Sequence, residues 1–84
     1  MDKITDTNIQ LFTITMEECG ELIQACSKVM RRGADEKSIN DLSDECGDVL
    51  CMLELLKEHG YITQEDLDKR VLYKREKLKS WSNL

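Results

Sequence analysis

The run Ile9-Gln10-Leu11-Phe12-Thr13-Ile14-Thr15-Met16-Glu17-Glu18-Cys19-Gly20-Glu21-Leu22-Ile23-Gln24-Ala25-Cys26-Ser27-Lys28-Val29-Met30 places Ile9, Phe12, Met16, Cys19, Ile23, Cys26 and Met30 at alternating steps of three and four. That period lines one face of an α-helix and fits no strand. The helix is predicted over roughly 6–32, because Arg31-Arg32-Gly33 supplies a cationic last turn and a glycine stop. A second segment repeats the device with Ile39, Leu42, Cys46, Val49, Leu53 and Leu56, and His59-Gly60 ends it, so a helix is expected over roughly 38–58. Thr63 and Asp66 resemble a capping box opening a third helix that runs through Leu67, Val71 and Leu78 towards Ser80. The expected architecture is all-α, a helical hairpin plus a third helix, with short connections near 33–37 and 60–62.

Length and charge narrow the rest. Eighty-four residues allow one domain, read as 1–84, and 40% apolar against 35% charged residues make a solitary monomer marginal. Two copies completing a four-helix-type bundle, as a homodimer or homotetramer, are therefore expected. The net charge is −5, but it is uneven: residues 1–60 hold 13 acids against 6 bases, and residues 61–84 hold 4 against 6. An acidic body argues against nucleic acid or an anionic membrane as partner, since either polyanion would be repelled. No apolar run approaches the roughly 18 residues needed to cross a bilayer. Met1-Asp2-Lys3 has neither the basic flank nor the apolar stretch of a signal peptide. A soluble, cytoplasmic protein is the expectation.

Cys19, Cys26, Cys46 and Cys51 form no CxxC pair, and one histidine, His59, leaves a zinc site short of ligands. These thiols fall among apolar helix positions, where they read as small buried hydrophobes in a reducing compartment. Gly20 and Gly47 fall inside helices, where glycine costs about 1 kcal/mol relative to alanine, and so suggest close approach by a neighbouring backbone.

Beside each apolar stripe runs a second row that packing alone would not request. On the first helix it reads Leu11, Thr15, Glu18, Leu22, Ala25, Val29, with Glu21 one turn from Glu18; on the second it reads Asp41, Glu45, Asp48, Met52, Leu55. In an antiparallel hairpin turning near Asp35, Glu21 comes level with Glu45 and Glu18 with Asp48, the residual offset being about one turn at ~1.5 Å per residue. Four clustered carboxylates repel one another and resist desolvation unless a cation compensates them. Oxygen ligands alone select a hard ion, Mg²⁺ or Mn²⁺. A carboxylate-bridged di-iron centre would require Glu-x-x-His on two helices, and His59 has no glutamate three residues before it. The competing reading is a solvated acidic face, which is how Asp35, Glu36 and Asp44 read.

Glu17-Glu18-Cys19-Gly20-Glu21-Leu22 and, with 23 residues between Glu21 and Glu45, Glu45-Cys46-Gly47-Asp48-Val49-Leu50 resemble the EExxE…ExxD signature of the MazG-like all-α nucleoside triphosphate pyrophosphohydrolases. The resemblance spans the first two helices. It implies a dimeric or tetrameric four-helix bundle that hydrolyses nucleoside or deoxynucleoside triphosphates to the monophosphate and pyrophosphate with Mg²⁺. By the same resemblance Glu18, Glu21, Glu45 and Asp48 are the metal ligands, with Glu17 and Glu18 in catalytic roles, Glu17 supporting a further metal or orienting water. Phosphoribosyl-ATP pyrophosphohydrolase, a relative of similar helices and length, is the alternative enzyme. A non-catalytic helical dimerisation or adaptor module is the alternative outside catalysis.

Phosphoanhydride hydrolysis suits these residues independently of the family. It requires charge neutralisation, an aligned water and a weak base, and no side-chain nucleophile. None is convincing here: Ser27, Ser38 and Ser43 lack a paired histidine and the cysteines lack an adjacent base. In the third helix Lys74 occupies a position of the apolar face, as a phosphate ligand or as a side chain snorkelling to solvent. Trp81 either stacks on a base or closes the end of the bundle.

Overall fold

The computed structural model describes residues 5–84 and consists of three helices, α1 (Asp6–Arg32), α2 (Glu36–Glu58) and α3 (Gln64–Lys79), with no strand among the described residues. The Met1-Asp2-Lys3 start lies outside the described residues. No helix among them is long and apolar enough to cross a membrane.

Local chemistry sets each boundary. Thr5 caps α1 by accepting from the Asn8 amide at 3.2 Å, and Gly33 ends the helix at φ +83°, a conformation costly for any residue with a Cβ. Asp35 accepts from the Ser38 amide at 2.7 Å and starts α2 at Glu36, two residues before the expected position. That hydrogen bond, formed to the ionised cap, is the main reason the Asp35 carboxyl lies below its ordinary pKa. At the far end of α2 the Gly60 amide donates to Lys57 and the Tyr61 amide to Leu56, the paired bonds that satisfy the last carbonyls, with Gly60 at φ +81°. Thr63 caps α3 through the Asp66 amide at 3.1 Å.

α1 and α2 pack as an antiparallel hairpin. Its inner row on α1 is the second one: Leu11 and Ala25 are buried, and Thr15, Glu18, Leu22 and Val29 are half-buried. Across from it Met52 and Ser38 are buried, and Asp41, Glu45 and Leu55 are half-buried. Full burial is worth about 1.5–3 kcal/mol for side chains of the size of Leu11 or Met52, so a core this small leaves the single chain weakly held. α3 has no buried residue. It is tied to the hairpin by the Lys57–Gln64 hydrogen bond at 2.7 Å and by the Phe12–Tyr61 edge-to-face contact at 4.8 Å beside it.

Two sequence expectations change here, those for the cysteines and for the mid-helix glycines, and the first follows in part from which face of α1 turns outward. On α1 the long apolar stripe faces outward, with Ile9, Met16, Ile23 and Met30 exposed at 51, 67, 70 and 87%. The hairpin is closed by the row that carries the acids, which has smaller side chains and lets the helices approach. All four cysteines are exposed rather than buried: Cys19 and Cys26 belong to that outward stripe of α1, and Cys46 and Cys51 lie on α2 away from the buried Ser38 and Met52. A Cβ at Gly20 or Gly47 would meet nothing within 4 Å, so neither glycine marks a close approach within this chain.

Candidate metal centre

Glu18 and Glu21 lie one turn apart on α1, and Glu45 and Asp48 one turn apart on α2. The hairpin register brings them together, and one carboxylate oxygen from each lies within 4.8 Å of the others. Glu18 and Glu45 stand on the inner rows and are half-buried, whereas Glu21 and Asp48 stand at the solvent edge. The register argument therefore holds for all four carboxylates.

The electrostatics of this cluster are those of a site short of positive charge. Oε2 of Glu18 and Oε2 of Glu45 are shielded from solvent and receive no hydrogen bond. Loss of hydration raises the Glu18 pKa above its usual range, and the charges of Glu21, Asp48 and Glu17 raise it further, as does a carboxyl–carboxylate contact with Asp48. Glu45 is raised in the same direction, first by desolvation and then by the Glu21 carboxylate beside it and the charges of Asp48 and Glu18. No carboxylate of the cluster joins the ion pairs found among the described residues, which are Lys37–Asp41, Lys69–Glu65 and Lys79–Glu76. A hard divalent cation is the group that satisfies orphaned carboxylate oxygens and removes mutual repulsion at once. The donor set fits one.

Glu17 is exposed, close enough for its charge to act on Glu18. Lys74 is exposed on α3, its ammonium 5.8 Å from the centre of the Trp81 ring. It lines a groove built from α3 and the C-terminal residues, apart from the acidic cluster. Trp81 is 64% exposed and closes nothing within this chain. Next to the cluster, Glu21 and Glu45 also line a cleft of about 350 Å³ together with Gln24, Ala25, Lys28 and Asp41. Gln24 and Lys28 went unnoticed in the sequence, although their steps of three and seven from Glu21 put them along the same side of α1.

The arrangement can be set against known protein families. The family model described as MazG nucleotide pyrophosphohydrolase domain matches residues 6–80. The chain belongs to the MazG family. The match runs from the first residue of α1 past the end of α3, so the family's helical domain takes in the whole hairpin and both acid pairs. No curated protein and no solved structure matches the chain. Membership brings with it the nucleotide pyrophosphohydrolase class, and the acidic cluster is where a MazG domain of this sequence has groups able to carry such chemistry.

Proposed function

We propose that residues 1–84 form one MazG-like domain that hydrolyses nucleoside or deoxynucleoside triphosphates to the monophosphate and pyrophosphate in a Mg²⁺-dependent reaction, Mn²⁺ serving as a substitute. The observation that carries this reading is the pair of shielded, donor-free carboxylate oxygens on Glu18 and Glu45 inside a four-carboxylate cluster. A solvated acidic face has no reason to withdraw two acceptors from water without replacing their hydrogen bonds.

Glu18, Glu21, Glu45 and Asp48 would hold the ion. When bound, it supplies neutralisation of the polyphosphate and a lowered pKa for the attacking water. Water adds across the α–β anhydride, giving monophosphate and pyrophosphate, and its proton leaves through a carboxylate. Glu17, exposed at the rim and free of the hairpin interface, is suited to orient that water and take the proton. Lys74 approaches phosphate only if α3 of another copy closes over the cluster. Homo-oligomerisation has its own support in the outward apolar face of Ile9, Met16, Ile23 and Met30, which a second copy would cover.

The test is pyrophosphate release from a panel of ribo- and deoxyribonucleoside triphosphates, with and without Mg²⁺, alongside Asp48→Ala. Metal-dependent release that disappears in Asp48→Ala while the helical signal persists supports the reading. Silence of a folded, metal-loaded protein across the panel refutes it, and phosphoribosyl-ATP is then the next substrate to try.

A further inference from the structure

The cleft beside the acidic cluster has two chemically different ends. Glu21 and Glu45 border the cluster end, and Gln24, Ala25, Lys28 and Asp41 complete the lining. Lys28 is the single cation among these residues. It lies seven positions after Glu21 on the same helix, about 10 Å along the axis, and helical side chains lean back towards the N-terminus, so its stem covers the interval between them. Asp41 is engaged by Lys37 at 2.8 Å, whereas Lys28 is in none of the ion pairs found among the described residues. The half-buried Lys28 therefore lines a polar cleft without a close ion-pair partner, its charge felt by Asp41 of the same cleft. Ala25 is the one apolar residue of the lining and no aromatic ring contributes, so this end has nothing on which a nucleobase could stack.

We infer that Lys28, assisted by the Gln24 amide, binds the terminal phosphates of the substrate, the part released as pyrophosphate. This rests on the pyrophosphohydrolase reading and extends it. A triphosphate brings several negative charges to a cleft that is itself negative. Glu18, Glu21, Glu45 and Asp48 would hold an ion that neutralises only the phosphates next to the cluster; for those beyond, Lys28 supplies a point charge while Gln24 donates a neutral hydrogen bond.

The experiment is calorimetric titration of inorganic pyrophosphate into the Mg²⁺-saturated full chain, with KM for the preferred triphosphate measured in parallel. Lys28→Met keeps the stem and removes the charge; Lys28→Arg restores the charge; Lys69→Met removes a cation on α3, outside the cleft and paired with Glu65 alone, and controls for net charge. Loss of a hydrogen bond to a charged group predicts pyrophosphate binding about 10- to 100-fold weaker in Lys28→Met. Binding in Lys28→Arg and Lys69→Met should stay within about threefold of the parent, by the same scale. A merely structural lysine would change the melting temperature and leave pyrophosphate affinity and KM unmoved, which overturns the inference. So does equal weakening by Lys69→Met, or a Mg²⁺-saturated parent that binds no pyrophosphate. Because the titration needs no turnover, an inactive parent that still binds pyrophosphate through Lys28 would refute the reaction and uphold the subsite. Should Lys28→Met fail to fold, Lys28→Gln provides the same comparison.

Discussion

Replacing Glu45 by glutamine should have opposite consequences with and without divalent metal. Four ionised carboxylates put four negative charges on oxygens that all lie within 4.8 Å. One divalent ion halves that charge and two cancel it, whereas Glu45→Gln leaves three charges and replaces a shielded, donor-free oxygen with a neutral amide. In chelator the variant should melt no lower than the parent, since it sheds a repelled and poorly solvated charge. With Mg²⁺ the order should reverse. An ion present at a hundredfold its dissociation constant stabilises the native state by about 2.7 kcal/mol, equivalent to about 10–20 °C in a domain of this size. Glu45→Gln, having lost one of the two inner ligands, should forfeit most of that gain. Thermal unfolding followed by circular dichroism, in chelator and across a Mg²⁺ series at fixed protein concentration, reads both effects. If the variant is destabilised in chelator, or keeps the full Mg²⁺ shift, the cluster is a structural or solvated acidic face and the reasoning fails.

The metal-free protein should also have an inverted pH response. Glu18 and Glu45 titrate above 4.5 in the native state, so native protein holds protons that the unfolded chain has released, and stability rises as pH falls from neutral through their raised range. Asp35 and Asp41 titrate below 3.8, Asp41 chiefly because Lys37 donates to it, and the stability they contribute is lost as pH falls through those lowered values. A maximum on the acid side of neutrality in chelator is expected, and a steady decline from neutral would contradict it. Saturating Mg²⁺ should abolish the acid-side gain, because protons then compete with the ion. Ile23→Glu, placing a charge at a side chain 70% exposed in one chain, should lower the mass measured by sedimentation if that face joins copies. An unchanged oligomer would move the interface elsewhere.

Much of the candidate site was legible before any tertiary contact was known. Steps of three and four identify helices whatever they pack against, Gly33 and Gly60 stop them by adopting positive φ, and Thr63 caps the third through its own hydroxyl; these are local effects. Acid pairs one turn apart share a sector of their helix, and a short connection between antiparallel helices fixes the level at which the two pairs meet. Glu18, Glu21, Glu45 and Asp48 could therefore be matched from spacing alone, and MazG family membership was carried by the same two strings. The start of α2 was misplaced because the Asp35 cap draws Glu36 and Lys37 into the helix.

What spacing leaves open is which side of a helix meets which neighbour. α1 offers two adjacent rows, one richly apolar and one mixed, and hydrophobicity alone favours turning the first inward. The tertiary structure turns the second inward, since its smaller side chains allow the hairpin to close, and the same choice exposes Cys19 and Cys26 and leaves Ile9, Met16, Ile23 and Met30 facing out. It also withdraws Oε2 of Glu18 and Oε2 of Glu45 from solvent, which no sequence pattern reveals. Lys28 follows the same rule. In the sequence it is one surface lysine among many, and only the approach of α2, carrying Asp41 and Glu45 to the opposite wall, makes it the cation of a cleft. Periodicity is a property of one helix, whereas burial and charge environment belong to a pair.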